Sequence, residues 1–123
     1  MLESILNCCR AKARFGIPFS EKAYWELDQL FQVLTEMMIN LRDAFITPNK
    51  VVLDRIVSDG KKLSDMLEDF KVAHWMRLEA GFCTVEGSSM YRDMLDSIKS
   101  INEYMVKMSK TLLDCDQNSS LAA

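Results

Sequence analysis

At 123 residues the chain is long enough for one domain with a modest core, and it carries a net charge of −3. This acidic balance argues against a nucleic-acid partner, which would favour a basic surface. No stretch approaches the ~18–20 consecutive apolar residues that cross a bilayer, so we do not expect a membrane channel or carrier. Four glycines and two prolines in the whole chain favour long, uninterrupted helices over strands and tight turns.

The first predicted element is a short helix over residues 1–14. Pro18 then interrupts the pattern, because the residue before a proline is disfavoured in helical angles. Ser20 is a suitable N-cap for the next helix, and Phe19 is placed to pack against Tyr24 across that cap. The short helix has its apolar residues at helical spacing: Leu2, Ile5, Leu6, Cys9 and Ala13.

The middle of the chain predicts three long helices, because its apolar residues recur at alternating spacings of three and four. The first of them ends at Thr47-Pro48, where threonine is expected to cap the second helix and proline to begin it. We expect the second helix to continue to about Ala80. The three apolar rows are Ala23, Leu27, Leu30, Leu34, Met37, Leu41 and Ala44; Leu53, Ile56, Gly60, Leu63, Leu67, Phe70 and His74; and Tyr91, Met94, Ile98, Ile101, Met105, Met108 and Leu112.

Glycines mark two special points in this pattern. Gly60 lies within the second apolar row, which predicts a bend or a close approach of another helix. Gly81 is placed to end the second helix in a left-handed conformation. Thr84 can then cap the third helix, with Glu86 in its first turn to offset the helix dipole. Residues 114–123 have no apolar period, so we expect a flexible tail there.

Long helices joined by short turns must be antiparallel neighbours, so the predicted fold is an all-α antiparallel bundle. The short N-terminal helix can be a fourth member, or it can add to another copy of the chain. At ~1.5 Å per residue it is too short to cover the fourth side of the bundle. We therefore expect an exposed apolar strip near Phe31, Met38 and Phe45, and a homodimer with the N-terminal helices close to the two-fold axis.

The only histidine, His74, raises the possibility of phosphotransfer, since Arg77 follows at the i+3 position. A phosphorylated histidine must face solvent, whereas the helical period places His74 on the inward row. The sequence therefore favours a structural histidine.

Carboxylates at metal-binding spacings are the second possibility: Asp65 with Asp69, and Asp93 with Asp96. Lysines and arginines surround both pairs, as is typical of a solvated helix face. Two of the four cysteines are adjacent and the other two are isolated, and no CxxC pair is present. No nucleophile motif or glycine-rich phosphate loop occurs either. We therefore expect neither an enzyme nor a bound cofactor.

One motif covers the turn between the last two helices and continues into the final one: His74, Arg77, Leu78, Gly81 and Cys83, then Asp93-Met-Leu95. This motif resembles the PhoU-like domain, and it is most similar to the version at the cytoplasmic end of bacterial sodium/phosphate cotransporters. The resemblance divides the chain into the end of a preceding repeat (1–18), a three-helix repeat (19–113) and the tail (114–123). It assigns structural roles to His74, Arg77, Gly81, Cys83 and Asp93.

The resemblance implies a regulatory domain that contacts a membrane-embedded phosphate transporter from the cytoplasmic side of the membrane. Two alternatives stay open. One is a metal-binding or phosphate-handling bundle, and the other is a plain helical dimerisation module.

Many members of the family bind metal through an acidic E-x-x-x-D pair on the third helix of the repeat. The matching positions in this chain are Lys99 and Glu103. A cation at the first position makes a poor metal site, so we expect no metal to be bound.

Overall fold

The computed structural model describes residues 2–15 and 19–122, and within these ranges it contains four helices and no strand. They are α1 (Leu2–Phe15), α2 (Glu21–Ile46), α3 (Lys50–Glu79) and α4 (Val85–Ala122). Helices α2, α3 and α4 pack against one another, which confirms the predicted all-α bundle. Residues 16–18 of the predicted break lie outside the described residues.

The first long helix begins as predicted. The hydroxyl of Ser20 accepts a hydrogen bond from the backbone N–H of Ala23 at 3.1 Å. The rings of Phe19 and Tyr24 pack with their centroids 5.6 Å apart. The cap and the aromatic contact therefore set the start of α2.

The start of α3 differs from the prediction. Thr47 closes α2, its backbone N–H donating to the carbonyl of Asp43, and it does not cap α3. Asn49 is the cap, because its side-chain oxygen accepts hydrogen bonds from the N–H groups of Val51 and Val52. Asparagine is at least as good an N-cap as threonine, and α3 begins at Lys50 rather than at the proline.

The turn between α3 and α4 has the predicted chemistry. Gly81 has φ +80°, the left-handed conformation that ends a helix at little cost only in glycine. The hydroxyl of Thr84 accepts a hydrogen bond from the N–H of Gly87 at 3.1 Å and caps α4. Glu86 lies in the first turn, where its charge offsets the helix dipole.

Helix α4 continues to Ala122, through residues 114–122 of the expected flexible tail; Ala123 lies outside the described residues. The side chains of residues 114–119 are exposed, so this part of the helix needs no apolar row. It also contains neither glycine nor proline, and each residue added to an existing helix contributes one more hydrogen bond.

The core lies where the rows of α2, α3 and α4 meet. Most of the predicted positions are buried, but Met108 is 40% exposed, and Phe70, Ile101 and Leu112 are only partly buried. Helix α4 packs against all three other helices, so its buried face is wider than one row. It also buries Ser88, Leu95, Ser97, Asn102 and Ser109.

Gly60 marks a close approach of α3 and α4, as its position in the row predicts. A Cβ atom added there would overlap the side chain of Val106. The side-chain amide of Asn102 donates to the carbonyl of Gly60 at 2.9 Å. The missing side chain at this position therefore lets the two backbones meet.

Helix α1 packs against α4 and, among the described residues, against no other helix. Ile5 contacts the core, whereas Leu2, Leu6 and Cys9 are exposed. The predicted apolar row of α1 is thus only partly buried, and the side chain of Ala13 lies outside the described residues. None of the helices in 2–15 and 19–122 has the length and hydropathy to cross a membrane.

Candidate functional site

A buried ion pair joins α2 to the last turn of α3. The guanidinium of Arg77 donates two hydrogen bonds to the carboxylate of Glu26, with N–O distances of 2.8 and 2.7 Å. Tyr91 of α4 donates its hydroxyl to the same carboxylate. Glu26 is fully buried, so its charge is balanced inside the protein rather than by water. We call these three residues the Glu26 cluster.

Local sequence explains why each member of the cluster lies there. Glu26 follows Ala23 by three residues and precedes Leu30 by four, which places it on the buried face of α2. Arg77 lies in the last turn of α3, where the helix dipole favours a cation. Tyr91 belongs to the apolar row of α4. The cluster therefore ties together three helices at one end of the bundle.

The environment keeps each donor of the cluster in its donating form. The hydrogen bond to Glu26 raises the pKa of Arg77 above its already high ordinary value. Burial, and then the hydrogen bond to Glu26, raises the pKa of Tyr91 far above its ordinary value. At neutral pH Arg77 is a cation and Tyr91 keeps its proton. Neither of the two donors of the cluster therefore titrates near neutrality.

His74 lies beside the cluster and is buried, as the sequence predicts. Its Nε2 is 2.7 Å from the hydroxyl of Ser88, and its ring lies 4.6 Å from the ring of Tyr91. Burial is the main cause that lowers the pKa of His74, followed by the positive charge of Arg77. The imidazole is therefore neutral at pH 7, and it packs between α3 and α4 without reaching solvent.

A cavity of about 170 Å³ opens next to His74. Its walls come from the start of α2, the end of α3 and the start of α4, and they are mainly aromatic rings and small hydroxyl groups. The lining residues include Phe19, Phe82, Cys83, Thr84, Ser88 and Tyr91.

The structure brings together most of the residues that carry the family resemblance. His74 and Arg77 are buried or nearly so, Gly81 shapes the turn, and Cys83 is half-buried in the cavity wall. Asp93 does not join them, because its side chain is exposed on α4. His74 and Arg77 thus make side-chain contacts within the bundle, Gly81 shapes the turn and Cys83 lines the cavity, whereas the Asp93 side chain is exposed.

The position of the family's metal site lies elsewhere, on the solvent-facing side of α4. Lys99 and Glu103 are both exposed there, one turn apart. Within the part of the chain that the structure describes, no three histidine, cysteine or acidic side chains are grouped as metal ligands would be.

Reasoning from the sequence missed Glu26 and Ser88. The position of Glu26 in the sequence could have revealed it. A carboxylate in phase with Ala23 and Leu30 lies on the buried face of the helix and therefore needs a cationic partner. Ser88 is three residues before Tyr91, in phase with the row of α4. The partner of each lies on another helix, and no local pattern identifies it.

Comparison with known protein families, with curated proteins and with solved structures found no match. Within the site, the charged groups of Glu26 and Arg77 form an ion pair, and the His74 side chain is 3% exposed.

Proposed function

We propose that this chain is a regulatory domain without enzymatic activity, which acts by protein contact on a membrane-embedded sodium/phosphate transporter. The resemblance of the motif from His74 to Asp93 to the PhoU-like domain supports this proposal. On this proposal the transporter is reached from the cytoplasmic face of the membrane, whether it belongs to the same polypeptide or to a separate one.

The observation that carries the proposal is how polar and apolar groups are distributed at the α3–α4 end of the bundle. The Glu26 carboxylate is buried and hydrogen-bonded to Arg77 and Tyr91, and the Nε of Arg77 is the one buried side-chain atom of the cluster without a partner. The large apolar side chains at the same end are exposed: Trp75, Met76, Phe82 and Val85, which we call the apolar tip. Apolar residues exposed together favour contact with another protein, and buried, paired polar groups do not favour catalysis.

Co-purification with a transporter tests the proposal directly. The membrane half of a bacterial sodium/phosphate cotransporter, without its own cytoplasmic domain, is expressed together with the tagged chain. We expect the chain to purify with the transporter half and to lower sodium-dependent uptake of radiolabelled phosphate. Val85→Glu should abolish both effects, because a charge would be desolvated in the contact with the transporter.

Val51→Glu is the matched control. Val51 is 76% exposed and Val85 is 75% exposed, and both lie in the first turn of a helix, where glutamate favours the helix dipole. Val51 lies at the other end of the bundle from the apolar tip. Val51→Glu should therefore purify with the transporter half and lower phosphate uptake as the unmodified chain does. Absence of co-purification with the unmodified chain, or equal effects of the two variants, would show that the proposal is wrong.

A further inference from the structure

An apolar patch lies on the flank of α2 that points away from α3. The Trp25 ring meets the ring of Phe70, so the Trp25 side of α2 borders α3. Met38 and Phe45, seven residues apart, lie on the other side of the buried row that contains Leu41. Because α2 packs only against α3 and α4 among the described residues, this flank borders α4.

Two further apolar side chains lie on the corresponding flank of α4. Ser88 and Asn102 contact α3 and so define the side of α4 that faces it. Tyr104 and Met108 are placed on the opposite flank by the helical period and are exposed. Helix α1 packs against α4 but, within residues 2–15 and 19–122, makes no contact with α2, so the described part of α1 does not bridge the groove between α2 and α4.

The two pairs of side chains lie at the same height along the bundle. The hydrogen bond between α2 and α4 connects residues 65 apart in sequence, near the start of both helices. Both helices extend from that point in the same direction. Adding the same 65 residues to Met38 gives position 103, which is one residue from Tyr104. Adding them to Phe45 gives position 110, which is two residues from Met108. We call these four residues the α2–α4 patch.

The patch exposes most of the apolar area that one side of a standard homodimer interface buries. The exposed fractions are 52% for Met38, 56% for Phe45, 55% for Tyr104 and 40% for Met108. At ~200 Å² for each large side chain, the patch exposes about 400 Å² of apolar surface. A standard interface buries ~800 Å² on each partner, of which roughly 65% is apolar in homodimers. The patch alone would supply about three-quarters of that apolar share.

We propose that a second copy of this chain covers the α2–α4 patch in a two-fold symmetric contact. On α2, Arg42 lies within one turn of Met38 and Phe45, and it forms an ion pair with Asp43 at 2.9 Å, so the pair carries no net charge. On α4, Glu103 and Lys107 line the groove that faces α3. An identical surface therefore meets no net repulsion, whereas an anionic membrane or a nucleic acid gains no attraction. Methionine and aromatic side chains also adapt readily to an identical partner surface. This proposal does not depend on the proposed function.

Light scattering and sedimentation equilibrium of the full chain at high micromolar concentration test the proposal. We expect twice the 14.1 kDa chain mass. Phe45→Glu and Met108→Glu, which lie on different helices of the patch, should each give the single-chain mass, with the dimer dissociation constant raised at least tenfold. Circular dichroism confirms that each variant remains helical, and Met38→Gln replaces any glutamate variant that unfolds.

Phe82→Glu is the control, because Phe82 is an exposed aromatic at the far end of the bundle. It should leave the dimer intact. A monomeric unmodified chain would overturn the proposal, as would a dimer that survives both patch variants and is broken by Phe82→Glu. Neither measurement involves a transporter, so failure here is distinguishable from failure of the proposed function.

Discussion

The carboxylate of Glu26 accepts hydrogen bonds from Arg77 and Tyr91 in a site that excludes water. Burying an ion pair brings little net stability, because desolvation of the two charges offsets their attraction. Removing one partner is different, since the other charge then stays buried without compensation. The cluster therefore fixes the relative positions of α2, α3 and α4, and it contributes little net stability.

We expect Glu26→Gln to lower the free energy of unfolding by about 3–5 kcal/mol, because Arg77 would remain charged and lose its anion. Urea denaturation followed by circular dichroism measures the change. Glu36→Gln, an exposed position on the same helix, should stay within about 0.5 kcal/mol of the unmodified chain. The double variant Glu26→Leu/Arg77→Met should recover much of the loss, and equal stability of the single and double variants would contradict this account.

A second prediction at the residue scale concerns the pH dependence that His74 confers. Burial lowers its pKa below the ordinary 6.5, so the unfolded chain takes up a proton at a pH where the folded chain does not. Proton uptake then favours unfolding. The stability contributed by the neutral imidazole is complete above about pH 6.5 and is lost as the pH falls below it.

Measurement of the unfolding free energy from pH 8 to pH 5.5 checks this prediction. His74→Leu should flatten the slope of stability against pH, although it should itself cost about 1–3 kcal/mol because Ser88 loses its buried partner. His74→Leu/Ser88→Ala should restore part of that loss with the same flat slope. An unchanged slope in both variants would assign the pH dependence to other groups. Stoichiometric phosphorylation of His74 would contradict its structural role.

At the scale of helices, the approach of α3 to α4 depends on the absence of a side chain at Gly60. The Val106 side chain occupies the space a Cβ would need, and the amide of Asn102 donates to the Gly60 carbonyl. Alanine is favoured over glycine in a free helix by up to ~1 kcal/mol, so propensity and packing oppose each other at this position.

We expect packing to decide the outcome. Gly60→Ala should destabilise the chain by about 1–3 kcal/mol, since the valine must move or the helices must separate. Thermal unfolding measures the effect. Gly60→Ala/Val106→Ala removes the overlapping methyl groups and should be more stable than Gly60→Ala alone. If Gly60→Ala instead raised the melting temperature, the contact between the helices would have to be looser than described.

At the scale of the whole molecule, the chain is a bundle of α2, α3 and α4 to which α1 is added on one side. Helix α1 has 14 residues, whereas α4 has 38, so it can cover only part of α4. Its contact is with α4, and Ile5 is its residue that packs against the core among those whose side chains are described. The stability of the bundle should therefore depend little on α1.

Deletion of residues 1–18 tests this expectation. We expect the remaining chain to unfold cooperatively and to lose less than about 3 kcal/mol, since burial of one isoleucine side chain is worth roughly 1.5–3 kcal/mol. Urea denaturation measures the loss, and Ile5→Ala in the full chain should account for most of it. A shortened chain that no longer unfolds cooperatively would show that α1 is an integral member of the bundle.

Much of this architecture was predictable from local patterns. The spacing of apolar residues predicted the three long helices and the burial of His74. Ser20, Gly81 and Thr84 predicted their ends, because capping and left-handed turns depend on a few neighbouring residues. The end of α4 was not predictable in this way, since an exposed helix leaves no apolar period.

The pairing of Glu26 with Arg77, 51 residues away, was decided only by the tertiary structure. So were the partner of Ser88, the choice of α4 as the helix that receives α1, and the alignment of Met38 with Tyr104. A helical period determines which face of a helix is buried, because burial follows from apolar spacing along one segment. It does not determine the rotation and height of one helix against another, and those two quantities decide which side chains meet.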